Sequence, residues 1–158
     1  MCGEEIFRDI YKKYETRLKE NRLIDFDDML SYTYELFKER TDILALWQNK
    51  YKYILIDEFQ DINRLQYEII KMLAAPQNNL FIVGDDDQSI YRFRGSKPDI
   101  MLGFEKDYPD AKRILLDTNY RCGRYIVEAS LNLISHNRER FDKKIIAASK
   151  SKAPVTFA

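Results

Sequence analysis

"FIVGDDDQSIYRFRG", residues 81–95, decides how this 158-residue chain is read. It opens as a continuous apolar run and passes without a spacer into three carboxylates, a glutamine, and then aromatics alternating with arginines. Two further runs have the same build, "YILID" at 53–57 and "RILLD" at 113–117, and each also ends in an acid. Short apolar runs without alternation are the pattern of parallel strands covered on both faces. Helical periodicity fills the intervals at 65–74 and 98–107, and resumes at 125–135 after the third run. Strand alternating with helix predicts an α/β fold with a short parallel sheet flanked by helices. In such sheets ligands sit outside the carboxyl ends of the strands, where all three acidic clusters fall.

Upstream the period changes. Ile6, Ile10, Tyr14 and Leu18 recur at helical spacing, so the first twenty residues form an amphipathic helix that needs a partner surface. A second helix begins at "DFDDML", with Asp25 as N-cap and Phe26, Met29, Leu30 and Phe37 on its apolar stripe; a third, shorter one carries Leu44 and Trp47. The organisation is therefore a helical segment over 1–50, an α/β core over 51–150, and a polar linker over 151–158 that leads toward another strand.

Composition narrows the possible partners. Lys plus Arg (26) equals Asp plus Glu (26), so no global positive field draws the chain to nucleic acid or to an anionic membrane. Contact with nucleic acid has to be a local patch. Cys2, Cys122 and the lone His136 share no metal-ligand spacing, which points to a reducing compartment, the cytoplasm, and away from zinc. No apolar run reaches the ~18 residues of a membrane span.

The clusters carry specific chemistry. Asp57 and Glu58 directly after a buried strand match the pair a nucleoside triphosphatase uses, one carboxylate toward Mg²⁺ and the next polarising water. The plain alternative is a strand emerging into solvent, with Asp61 or Asn63 capping the next helix. Asp85, Asp86 and Asp87 repel one another and call for a cation or a basic partner. Gln88 can touch a phosphate oxygen on one side and water on the other. Tyr91 and Phe93 on one face of an extended segment, with Arg92 and Arg94 on the other, suit bases and phosphates respectively. Arg121 in "LLDTNYR" suits charge developing on a transferred phosphoryl group.

Together "DFDDML", "ILIDEFQDIN", "GDDDQSIYRFRGS" and "FEKDYPDAKRILLDTNYR" resemble superfamily 1 DNA helicases of the UvrD, PcrA and Rep type, over nearly the whole chain. The resemblance implies a three-layer, partial RecA-like (P-loop NTPase) domain preceded by helices and carrying helicase motifs II, III and IV. It implies an ATP-dependent helicase or translocase that couples Mg²⁺-ATP hydrolysis to movement along single-stranded DNA. Asp57 then matches the Mg²⁺ ligand, Glu58 the catalytic base, Gln88 the γ-phosphate sensor and Arg121 the arginine that reaches the γ-phosphate. Tyr91, Phe93 and Arg94 match the lining of the DNA path. Phe93 stands where the family usually has tryptophan, which weakens stacking; Asp86 and Cys122 also depart from the usual residues and receive no role.

None of the five glycines sits in a G-x-x-x-x-G-K-[ST] phosphate loop. The expected partners are therefore that segment and a second RecA-like domain, the rest of the helicase. Losing three phosphate donors at ~3 kcal/mol each removes on the order of a million-fold in rate, so the chain alone is expected to show no ATPase activity. One or two stacked bases at ~1 to 3 kcal/mol each give only weak, salt-sensitive DNA binding. In the family the phosphate-loop strand lies between the counterparts of 80–84 and 113–117; without it exposed strand edges favour self-association. Two other readings stand beside this one: a Mg²⁺- or Mn²⁺-dependent nuclease or phosphotransferase with Asp57, Glu58, Asp85 and Asp87 at a two-metal site, and a non-catalytic interaction module.

Overall fold

The computed structural model describes residues 3–89 and 98–149. It is an α/β fold built from α1 (Glu4–Asn21), α2 (Phe26–Glu39), α3 (Thr41–Lys50), β1 (Ile54–Ile56), α4 (Arg64–Ala74), β2 (Leu80–Ile82), α5 (Pro98–Leu102), α6 (Phe104–Asp107), β3 (Thr118–Gly123), α7 (Arg124–Ile134) and β4 (Ile146–Ser149). Short parallel sheets with N-terminal helices ahead of them match a partial RecA-like domain. Two compact units divide the chain, the first from Met1–Ile54 and Glu68–Asn79, the second from Leu55–Tyr67 and Leu80–Ala158.

In the first unit the sequence signals for helix ends operate as expected. Asp25 caps α2 in a reciprocal box: its carboxylate accepts from the Asp28 amide (2.8 Å) and that of Asp28 accepts from the Asp25 amide (3.1 Å). The Tyr14 hydroxyl donates to the other Asp25 oxygen at 2.8 Å. Phe37 is buried, whereas α1 buries nothing: Ile6 and Ile10 stay more than half exposed. The partner surface expected for that stripe is absent among the described residues.

The second unit holds the core, with Phe59, Tyr67 and Ile100 at its centre and Ile56, Ile62, Ile82, Met101, Phe104 and Tyr108 packed around them. Tyr67 and Phe104 both meet Phe59 edge-on, at centroid distances of 5.7 and 5.6 Å, a favoured aromatic geometry. The Tyr67 hydroxyl donates to Asp107 at 2.9 Å. β1 and β2 run parallel, since the Val83 amide donates to the Ile56 carbonyl and the Phe59 amide to that of Val83.

Three expectations need correction. The runs at 53–57 and 80–85 form strands covered on one face only: Ile56 and Ile82 turn to the core while Leu55 (70%) and Phe81 (57%) face outward. The run at 113–117 is no strand. Strand formation needs a neighbour to complete the backbone hydrogen bonds; the Asp117 carbonyl at the end of the run accepts from the Ile146 amide at 2.8 Å, but the run takes no strand conformation, and Ile114 and Leu116 are about four-fifths exposed. The third strand forms later, as β3, which pairs in parallel with β4. The helix expected over 98–107 is two short helices separated at Gly103.

Candidate functional site

Every described candidate residue lies in the second unit, on the loops that follow β1 and β2 or on β3. The chain leaves β1 at Asp57, whose Oδ1 accepts from the Glu58 amide at 2.9 Å. Glu58 takes a left-handed backbone (φ 51°, ψ 42°) and begins a tight turn over Phe59–Asp61. That conformation costs a non-glycine residue energy and persists where surroundings impose it. Here the buried Phe59 and Gln60 impose it, the one in the core and the other beneath the next loop. Asp57 and Glu58 both remain exposed. Asn63, one of the two alternatives read as helix cap, does open α4, exchanging hydrogen bonds with Gln66 at 2.8 and 2.9 Å.

The loop after β2 packs directly on this turn. Gln60, 2% exposed, donates from Nε2 to Glu58 Oε2 (2.8 Å) and accepts at Oε1 from the Asp85 amide (3.0 Å). The approach is so close that a Cβ on Gly84 would stand 2.6 Å from Gln60 Oε1 and 3.2 Å from the Phe59 and Gln60 amides. Glycine at 84 is a packing requirement. Asp85 then organises the turn beyond it: one carboxylate oxygen accepts from the Asp87 amide and the other from Gln88 Nε2 at 2.8 Å.

The mutual repulsion of the three aspartates is answered by cations more than fifty residues away. Lys143 Nζ reaches Asp85 (2.5 Å), Asp86 (2.6 Å) and Asp87 (3.0 Å), and Arg140 grips Asp87 through two bonds of 2.7 Å. Asp86 also accepts from the Phe141 amide at 2.8 Å. Burial alone would raise the Asp85 and Asp87 carboxyls; hydrogen bonds from Lys143 and Gln88 to the first, and from Arg140 and Lys143 to the second, hold both below their ordinary values. For Lys143 burial works downward, and the three carboxylates outweigh it to leave the ammonium raised. Asp86, given no role from sequence, is the most buried of the three. Asp85 and Asp87, half of the set read as a two-metal site, face the chain's own cations, and the described residues include no cluster of three or more acids, histidines or cysteines able to hold a metal.

Arg121 sits inside β3 rather than beyond a strand end. The register runs Thr118↔Ile146, Asn119↔Ala147, then Gly123↔Ser149, so β3 bulges between Asn119 and Gly123. Asn119 Oδ1 stabilises the bulge by accepting from the Arg121 and Cys122 amides (2.9 and 2.8 Å). Bulges re-aim side chains, and this one places Tyr120 and Arg121 with Gln88 and Asn119 around an open cleft of about 600 Å³. Gln88 and Arg121 are thus brought together. Asp57 and Glu58 stand outside that lining; Glu58 is tied to it through Gln60, Asp85 and Gln88 in turn. Tyr91, Phe93 and Arg94 lie outside the described residues. Sequence reading missed Gln60, Asn119, Arg140 and Lys143; for the last two the signal was the uncompensated acid triplet.

A family model described as the UvrD/REP helicase N-terminal domain matches residues 3–109. The chain is 50% identical over 155 residues to YjcD of Bacillus subtilis (strain 168), covering 98% of this chain and 20% of YjcD. It is 43% identical over 142 residues to the ATP-dependent DNA helicase PcrA of the same organism, covering 90% of this chain and 19% of PcrA. Against the ATP-dependent DNA helicase PcrA of Leuconostoc citreum the identity is 40% over 154 residues, 98% of this chain and 21% of that protein. The chain spans about a fifth of the length of these relatives.

Proposed function

Because the chain belongs to the UvrD/REP helicase N-terminal domain family, we propose that it supplies part of the ATP-hydrolysing and DNA-sensing machinery of an ATP-dependent DNA helicase. The observation that carries the reading is the shared cleft of Gln88 and Arg121, joined by hydrogen bonds to Glu58. An amide and a guanidinium on one cleft suit a terminal phosphate, since both donate and the second carries charge. Glu58 is the general base toward the attacking water, and its exposure leaves it open to a substrate. Asp57 fits Mg²⁺ as an exposed, hard carboxylate ligand at a strand end. The ion would neutralise phosphate charge. Tyr91, Phe93 and Arg94 come shortly after Gln88 in the sequence and would meet the bases and backbone of single-stranded DNA.

The remaining phosphate donors, including a phosphate loop and a second RecA-like domain, would come from outside these residues. The uncovered face of the β1–β2 sheet, with Leu55 and Phe81, suits such packing or self-association. No described helix is long and apolar enough to cross a membrane.

A graft tests the proposal: this chain replaces the matching segment of B. subtilis PcrA, and DNA-stimulated ATP hydrolysis is followed. The expected result is an active graft that loses at least about 100-fold on Glu58→Gln or Arg121→Ala, while the 158-residue chain alone hydrolyses nothing. A folded but silent graft, or one indifferent to both substitutions, overturns it.

A further inference from the structure

Gln60 lies buried between the two loops, with both ends of its amide engaged. The Asp85 N–H can only donate and the Glu58 carboxylate can only accept, so the amide has one workable orientation: Oε1 toward Asp85, Nε2 toward Glu58. Burying such a group is costly unless both ends are satisfied. An apolar side chain could fill the space but could not link the loops. The Ser89 hydroxyl adds a long bond to the Gln60 carbonyl (3.4 Å), and Gly84 lets the loops close to this distance.

We propose that Gln60 is a positioning residue that fixes the Glu58 carboxylate relative to the Gln88 loop, so that base and phosphate sensor move as one unit; this rests on the roles proposed for Glu58 and Gln88. Glu58 needs such an anchor because its side chain is exposed and its backbone is left-handed, so its own packing does not hold it. The two arms are separable by chemistry. Gln60→Met removes both, whereas Gln60→Glu keeps an acceptor for the Asp85 amide, loses the donor to Glu58 and sets a second carboxylate against it.

Two measurements test this. In the PcrA graft, both variants are expected to lower kcat for ATP hydrolysis by about 10- to 100-fold with KM for ATP within about twofold, as expected for a misplaced catalytic group. In the 158-residue chain, amide hydrogen exchange at Asp85 is expected to accelerate at least about tenfold in Gln60→Met and to stay near the parent rate in Gln60→Glu. An active graft whose kcat ignores both substitutions overturns the coupling while leaving the functional reading in place. So does a kcat loss that merely follows loss of folded protein by circular dichroism, or equal exchange at Asp85 in all three chains. A silent unmodified graft overturns the functional reading and this inference with it.

Discussion

Two loops leave the same small sheet bearing acids, and the fold treats them in opposite ways. After β1, Asp57 and Glu58 stand exposed, with local amides as their partners. After β2, Asp85, Asp86 and Asp87 are clasped by Lys143 and Arg140, and Asp86 is buried. In sequence both are carboxylates at a strand end. What separates an acid available for chemistry from one that builds the loop is the origin of its counter-charge. The β1 acids bond to neighbouring amides, and the β2 acids take their counter-charge from a segment more than fifty residues downstream. Among the described residues, Gln88 is the group that the second loop presents to the cleft.

The sharpest way to break the contrast is to remove the clasp. Lys143→Met leaves three neighbouring carboxylates with Arg140, the Gln88 amide and backbone donors but no lysine, and stripping one side of a buried ion cluster costs about 3–5 kcal/mol. Chemical denaturation should show that loss; a change below about 1 kcal/mol would mean that solvent already screens the triplet. Next in size is Gly84→Ala. Its Cβ would press on Gln60 Oε1 at 2.6 Å and on two backbone amides at 3.2 Å, so overpacking of about 1–3 kcal/mol is expected at the seam where the loops meet. An alanine variant as stable as the parent would show that the loops can part without cost.

Titration gives a smaller effect. Asp85 and Asp87 titrate below their unfolded value of about 3.9, so their contribution is complete above that pH and fades as pH falls through the lowered values. Lys143 is raised, so its contribution is present below about 10.4 and fades as pH climbs through the raised value. The parent should hold a stability plateau between these limits. The gap to Lys143→Met should narrow in acid, because protonating Asp85 and Asp87 relieves the repulsion that the variant suffers. A gap that is flat from pH 7 to pH 3 would assign the loss to packing of the lysine stem.

Much of this was legible in the sequence, and the misses share one cause. Helix caps such as Asp25 and the strand-end acids are local signals, readable within a few residues. The run at 113–117 looked like a strand because its composition is right, yet a strand is a relation between segments, and β3 found its neighbour in β4 instead. Lys143 was invisible for the same reason: "RFDKK" carries no mark of its destination. The acid triplet announced that a cation was needed but not where it would come from. Gln60 read as one polar residue among several in "DEFQD", and only its burial shows that it spans two loops.

The smallest change in stability should come from the residue with the largest proposed effect on chemistry. Glu58→Gln keeps the side chain's shape and leaves an amide oxygen able to accept from Gln60 Nε2, so the link to Asp85 survives. At an exposed position outside the core such a substitution shifts stability by less than about 0.5 kcal/mol. The carboxylate charge is nevertheless gone, and a general base contributes about 10²- to 10⁴-fold in rate. Measured together, denaturation of the 158-residue chain and ATP hydrolysis by the PcrA graft should therefore diverge at Glu58 and move in step at Asp86, where the acid serves the fold. If Glu58→Gln instead destabilised the chain as much as Asp86→Asn, the β1 acids would be structural after all, and the distinction between the two loops would disappear.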